Sequence, residues 1–576
     1  MSEQVMVSPG YRSNHARWPT QTLLRHAGLA AMAVLAIRMF AGAATCGGTP
    51  VPRRQLDGFV DLHAHPVANV GFGGTLVYGA AGPGTLLPDC NAGVRATTEE
   101  SALGRDHAIH GGWNPFDNPC GDSIREPLMH VIQLALHAAD PPGNASGFPT
   151  FTDWPVWNDM THQKMWVEWI RRSFNGGLRV MVALAVNNKT LGDLISHGSN
   201  IPTSDKASAD LQIDEIKRLV AGSDFMEIAR TADDLARINA IPKLAVVIGV
   251  EIDHIGDLQT ASWSGAGPTV TVPTLHDLKA EIHRLYNEDV RYIFPIHLVD
   301  NAFGGTAAYD DLFDLSNLHE SGAAWQLRCA DPGDGITYQS APAIASALGA
   351  QIIASLGLPS VPGVRPACAA GQRNSLGLSA NGIEGLREMM RLGMLIDVDH
   401  MSQTAVDQAL GIAEAVTPGG YPLNSGHNNV RGPGNPVTER AFTALQYQRI
   451  GALHGIAGIG SSGQDAAAWL RLYQQVMTAM GPGAVGGFGT DTNGFGLGMP
   501  PRPGSHVTET TPNRDGPKTW NYKSDGVAHY GMLPEFLQDV GSLQGGAAVV
   551  ANAMTGAEYF YQTWHKAELQ RTLVTP

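Results

Sequence analysis

A chain of 576 residues with 43% hydrophobic and only 16% charged residues is built to bury a large core, which excludes a disordered or fibrous polypeptide. Its formal net charge of −15, with no run of lysine or arginine, excludes a nucleic-acid interface and leaves a small molecule as the expected partner. Abundant glycine (68) and proline (36) point to long ordered loops between packed elements.

At the N-terminus, Arg12, Arg17 and Arg25 precede the apolar stretch Ala27 to Ile37, and the small residues Ala41-Gly42-Ala43 follow. This is the pattern of a secretory signal, so residues 1–45 are expected to act as an export segment and 46–576 as the working domain, periplasmic or secreted. A start at Met32 or Met39 would instead leave the protein cytoplasmic. The apolar stretch is too short for a stable membrane span and is closed by Arg38. In an oxidising compartment Cys46, Cys90, Cys120, Cys329 and Cys368 could form disulfides, the shortest pairings being Cys90 with Cys120 and Cys329 with Cys368; buried free thiols are the alternative. Assembly is open between a monomer and a homodimer.

Short apolar, β-branched runs predict eight strands, at Gly58–His63, Leu178–Val186, Leu244–Glu251, Val290–His297, Met394–Asp399, Tyr421–Ser425, Ala452–Ile459 and Ala484–Thr490. Helical periodicity falls between them at Leu211–Val220, Leu275–Asn287, Gly385–Leu392, Gln403–Ala415 and Ala466–Met480, and Thr231 with Asp234 reads as a capping-box start to another helix. Alternating strands and helices predict an α/β chain folded as a (β/α)8 TIM-type barrel, whose ligating side chains gather at the strand C-termini. Two long insertions interrupt it, Val67–Arg172 after strand 1 and Asp300–Asn381 after strand 4, and both should overhang the active face. Trp113, Trp154, Trp157, Trp166 and Trp169 in the first either form its own core or line an apolar pocket.

The sequence Asp61-Leu62-His63-Ala64-His65 ends the first strand, where alternation lets both imidazoles reach one cation. Later strands end in complementary ligands: Glu251, His400 and His427. Carboxylates and imidazoles buried at successive strand ends are costly unless paired or metal-bound, so a shared metal cluster accounts for them together. His297 and Asp491 end two further strands and are candidates for proton and charge handling, with a supporting histidine and a turn cap as the alternatives.

Taken in order, Asp224-Phe225-Met226-Glu227-Ile228-Ala229-Arg230-Thr231-Ala232-Asp233-Asp234, Val290–His297, Gly393–Ser402, Ser425-Gly426-His427-Asn428 and Gly487–Asp491 resemble the membrane (renal-type) dipeptidase family of the amidohydrolase superfamily. The resemblance implies two divalent ions, zinc by preference, with His63 and His65 on one, His400 and His427 on the other, and Glu251 bridging them together with a hydroxide. It further implies that His297 polarises the scissile carbonyl and that Asp491 exchanges protons with the hydroxide and the leaving amine. Two departures stand out. The family's first motif usually reads His-x-Asp, and His65 replaces the aspartate here. The family arginine that grips the substrate carboxylate falls on Gly434, while Asn435 matches; Arg431 is the nearby candidate to take its place.

The function expected on these grounds is hydrolysis of an amide in a dipeptide or N-acyl amino acid. Hydrolysis of a lactone, ester or phosphoester by the same site is the first alternative, and a non-catalytic metal-binding barrel the second.

Overall fold

The computed structural model describes residues 54–575 apart from 88–92, 105–146, 152–154, 196–198, 341–355, 359–364, 508–512 and the single positions 75, 150, 161, 265, 433 and 436. The proposed export segment, Cys46, Cys90, Cys120, Trp113 and Trp154 lie outside the described residues.

Eight parallel strands run in chain order: β1 (Phe59–Ala64), β2 (Leu178–Asn187), β3 (Leu244–Ile252), β4 (Tyr292–Ile293), β5 (Leu395–Ile396), β6 (Ser425–Asn428), β7 (Ala457–Gly460) and β8 (Gly486–Gly489). Each pairs with its sequence neighbours except at β5 and β6, and β8 pairs with β1. Between β5 and β6 the ladder is continued by a parallel bridge, Asp397 with Asn424, in which Asn424 N donates to Ile396 O and Val398 N to Asn424 O. That bridge closes the sheet on itself, giving the (β/α)8 barrel expected from the sequence. Gly458 on β7 shows how tightly the last strands approach: a Cβ there would stand 1.9 Å from Gly426 O.

Side-chain alternation divides the strands between two apolar clusters. Val60, Leu62, Val180, Val182, Leu184, Ala245, Val247 and Leu395 belong to the cluster that includes the barrel interior, shared with Trp564 and Phe560 of the C-terminal helix Gly556–Gln570. Phe59, Met181, Ala183, Val246 and Ile248 belong to the larger cluster with the surrounding helices. On β1 the register shifts between Asp61 and Ala64. Ala64 therefore joins the outer cluster, and the irregularity turns His63 and His65 inward where strict alternation from Leu62 would not.

The helices start where side chains can satisfy their free N–H groups. Ser204, Thr274, Ser379, Ser402, Thr443 and Asp465 cap Asp205–Ala221, Leu275–Asn287, Ala380–Leu392, Gln403–Glu414, Ala444–Ala452 and Ala466–Met480. Thr231 caps Ala232–Ala240, but Asp234 accepts from Arg230 N and does not complete a capping box.

Some boundaries differ from those expected. The sixth strand begins at Ser425, not Tyr421, because the chain leaves the preceding helix through Gly419 and Gly420, both at positive φ. The seventh begins at Ala457, since Ala452 still belongs to a helix and His454 turns the chain at φ +61°. An unexpected short strand, Met226–Ile228, pairs with the start of β3. The second insertion carries a helix, Asp311–Ser321, and an antiparallel pair, Leu327–Cys329 with Gln372–Asn374, beside which Cys329 and Cys368 form a disulfide.

Candidate active site

Four strand ends deliver imidazoles and carboxylates to one place. Glu251, near the end of β3, is buried at the centre. Its Oε2 lies 2.9 Å from His63 Nε2 and 3.4 Å from His65 Nε2, while its Oε1 lies 3.2 Å from His400 Nε2 and 3.9 Å from His427 Nε2. Two groups able to hold a metal ion result, His63/His65/Glu251 and Glu251/His400/His427, sharing the one carboxylate. The five residues are all buried, so the sequence-predicted ligands are brought together as a set.

The donors fit a divalent metal. Nε2 of His63, Nε2 of His65 and Oε1 of Glu251 are buried without a hydrogen-bond partner, an arrangement a cation would satisfy. Burial pushes His400 down to about 3 and His427 well below the ordinary range, so both imidazoles are neutral, the form that ligates. Burial alone would raise the Glu251 carboxyl, but the charges of His63 and His297 outweigh it and hold it well below its ordinary value. Imidazole-rich sets with a carboxylate suit zinc, among other divalent ions.

Supporting contacts fix the ring orientations. Asp399 accepts from His427 N at 2.8 Å, lies 3.2 Å from its Nδ1, and also accepts from Ser425 Oγ and Asn428 Nδ2. His65 Nδ1 faces Leu184 O at 3.3 Å, and Tyr309 OH lies 3.4 Å from His400 Nδ1. His400 itself sits at φ +66°, a conformation uncommon for a residue with a Cβ and typical of functional positions.

Asp491 and His297 both reach the cavity around the cluster. Asp491 Oδ1 lies 3.2 Å from His65 Nε2 and 3.6 Å from His63 Nε2, and its backbone N donates to His63 O. Gly494 is required beside it: a Cβ there would stand 1.9 Å from Asp491 Oδ1 and 2.6 Å from His65 Cδ2. His297 Nε2 is 3.9 Å from Glu251 Oε1, and its Nδ1 is 2.9 Å from Asp253 Oδ1. Burial alone would lower His297, but the carboxylates of Asp253 and Glu251 outweigh it and raise it.

The two residues expected to bind substrate are placed elsewhere. Arg431 does not line the cavity; its guanidinium donates to Asp334 O, Gln403 Oε1, Thr438 O and Glu439 O. Asn435 Nδ2 donates to Gln475 Oε1. Among the described residues, the arginine that does reach the cavity is Arg440, half-buried, 5.6 Å over the Tyr309 ring, with a buried Nε that has no hydrogen-bond partner. Nothing in the spacing of Arg440 marked it out, whereas Asp399, adjoining His400, could have been read as an orienting carboxylate. The three described tryptophans of the first insertion do not line the cavity, and Trp169 packs instead with Phe151, Trp520 and His529. The second insertion does overhang the site, through Tyr309, Leu312 and Phe313.

No curated protein matches the chain. Among solved structures it resembles an amidohydrolase from Pseudomonas aeruginosa, at 12% identity over 69% of this chain and 92% of that one with a TM-score of 0.40. It also resembles the probable dipeptidase PvdM from the same organism, at 13% identity over 71% and 89% with a TM-score of 0.42. A third is a metallo peptidase from Rhodobacter sphaeroides, liganded with a phosphinate mimic of the dipeptide L-Ala-D-Ala, at 14% identity over 69% and 89% with a TM-score of 0.41. Residues 363–417 match the model of the membrane dipeptidase family, peptidase family M19, a segment that runs from the second insertion through β5 and His400 into the helix Gln403–Glu414. Over that segment the chain is similar to the membrane dipeptidases.

Proposed function

We propose that this protein is a binuclear metallohydrolase that cleaves an amide bond in a small carboxylate-bearing molecule, a dipeptide or an N-acyl amino acid. The observation that carries this reading is the division of Glu251: each carboxylate oxygen faces its own pair of imidazoles. His63 and His65 would hold one divalent ion, His400 and His427 the other, and Glu251 would bridge them. Such a pair, when bound, lowers the pKa of a shared water toward neutrality and polarises an adjacent carbonyl.

The chain's own residues supply the rest. Asp491, beside His63 and His65 and open to the cavity, is positioned to hold a proton at Oδ1 and pass it to the leaving amine. His297, whose Nδ1 is held 2.9 Å from Asp253 Oδ1 and which lines the cavity, is the group to donate a hydrogen bond to the carbonyl oxygen. Arg440, with a buried unpartnered Nε at the cavity wall, is the group to take the substrate carboxylate. This arginine favours an amino-acid-derived substrate over a neutral one.

A second reading keeps the site and changes the bond to that of a lactone, ester or phosphoester, favoured by the apolar character of Leu191, Leu194 and Phe313 in the lining. A panel of amides, esters and phosphoesters decides between them. Turnover of carboxylate-bearing amides, lost in Asp491→Asn, supports the first reading; turnover confined to esters or phosphoesters replaces it with the second. Metal binding without any turnover would leave a non-catalytic barrel.

Export remains part of this proposal. It is supported by the disulfide between Cys329 and Cys368, a bond that persists in oxidising compartments, and by the signal-like composition ahead of Ala43. Among the described residues no helix is long and apolar enough to cross a membrane.

A further inference from the structure

The cavity over the ligand cluster has a volume of about 500 Å³, more than a pair of small amino acids requires and within the range that encloses drug-sized ligands, roughly 300–1,000 Å³. Its wall is chemically divided. Arg440 and Tyr309 stand on the side of His400: Tyr309 OH lies 3.4 Å from His400 Nδ1, and the arginine stacks over the same tyrosine. Phe72, Leu191, Leu194, Leu315 and Phe495 also line the cavity, and they belong to one apolar cluster that contains neither Arg440 nor Tyr309.

Two of these residues are held there in an unusual way. Phe72 follows His65 on the loop after β1, and Phe495 follows Asp491 on the loop after β8. Their rings meet edge to face at 4.6 Å. Both backbones lie in the left-handed region, Phe72 at φ +52° and Phe495 at φ +65°. A bulky residue in that region is an outlier that persists only where the surroundings impose it. Two such residues from separate loops, packed on each other beside His65 and Asp491, make a preformed apolar surface next to the reacting centre. Gly494 and Gly496, which let the chain wrap the Asp491 carboxylate, set the direction in which Phe495 leaves it.

We infer that this surface is a subsite for a large apolar group on the acyl side of the scissile amide, so that the preferred substrate has a carboxylate at one end, held by Arg440, and a long aliphatic or aromatic acyl group at the other, held by Phe72, Phe495, Leu191 and Leu194. The inference rests on the amide-hydrolase reading above and narrows it. The same apolar recognition could serve an N-acylated amino acid or a dipeptide whose first residue is bulky, and these differ by a free α-ammonium.

The test is a matched panel offered to the metal-loaded full chain: N-acetyl-alanine, N-octanoyl-alanine, glycyl-alanine and phenylalanyl-alanine, each with both enantiomers of the terminal alanine. An added methylene seated in an apolar pocket typically changes kcat/KM by about tenfold or more. The octanoyl compound is therefore expected to exceed the acetyl compound, or phenylalanyl-alanine to exceed glycyl-alanine, by at least about tenfold. Which pair shows the larger ratio identifies the acylated or the free-amine source. In Phe495→Gly, which suits the left-handed backbone, and independently in Leu191→Ser, the large-to-small ratio should fall by about tenfold. Turnover with ratios near one, or ratios unmoved in both variants, overturns the subsite and leaves the amide-hydrolase reading standing. No turnover of any member overturns both.

Discussion

His400 Nε2 and His427 Nε2 face each other at 3.0 Å, with Glu251 Oε1 3.2 Å from the first. Burial disfavours a proton on either ring, so two lone-pair-bearing nitrogens and a carboxylate oxygen converge on a space that a cation would satisfy. The purified protein is expected to carry about two divalent ions per chain, as in other two-metal hydrolytic sites. His400→Ala should reduce this to about one or fewer, with the far-UV circular dichroism unchanged. Elemental analysis of both proteins measures it, and an absence of metal from both would remove the cluster altogether.

Arg440 is expected to govern affinity for the substrate carboxylate. Charge-assisted hydrogen bonds are worth about 1.5–3 kcal/mol, so Arg440→Ala should lower kcat/KM on a carboxylate-bearing amide by roughly tenfold to a hundredfold. The same substrate with its carboxylate converted to a primary amide should be affected little. By contrast Arg431→Ala, which breaks contacts to Asp334, Gln403, Thr438 and Glu439, should lower Tm and leave the discrimination between the two substrates in place.

Glu439 joins three segments. Its carboxylate accepts from Ala308 N at 2.8 Å, Asn374 N at 2.8 Å and Gln403 N at 2.9 Å. Burial nevertheless pushes it up to about 7 from an ordinary 4.5. An acid whose pKa is raised on folding binds its proton more tightly in the native state. Its stabilising contribution is complete below about 4.5 and is lost as pH rises through about 7. Across that window the change is on the order of 3 kcal/mol. Glu439→Gln should flatten this component of the Tm profile between pH 5 and 8, while lowering Tm at the acid end because a carboxamide cannot serve all three N–H donors. An unaltered slope in the variant would assign the pH dependence to other groups.

The Cys329–Cys368 disulfide closes a loop with a sequence separation of 39 residues. A loop of that size predicts a stabilisation of about 3–4 kcal/mol from restriction of the unfolded chain. Cys329→Ser, or reduction of the wild-type protein, should lower Tm by several degrees, read by differential scanning calorimetry in matched buffers with and without reductant. Equal Tm values would show that the insertion is held by its packing alone.

Much of the architecture was legible in the sequence because it depends on local patterns. Short apolar, β-branched runs located all eight barrel strands, and period 3.6 located several of the intervening helices, two of them, Leu275–Asn287 and Ala466–Met480, to the residue, whereas Val167–Asn175 and Ala444–Ala452 were not anticipated. The two candidate metal-holding groups of His63, His65, Glu251, His400 and His427 were legible because a parallel barrel converts position at a strand's C-terminal end into position in space.

What the sequence could not determine is whatever depends on a side chain's approach from outside that frame. Arg440 and Arg431 lie on one connection after β6 and are the same residue type, yet of the two only Arg440 reaches the cavity, since backbone carbonyls and Gln403 occupy Arg431. Phe72 and Phe495 are far apart in the chain, and only closure of β8 onto β1 sets their rings together. Strand pattern and ligand order were therefore set by the sequence itself, while the identity of the cationic and apolar walls was decided by tertiary packing, because loop direction is fixed by contacts between segments distant in sequence.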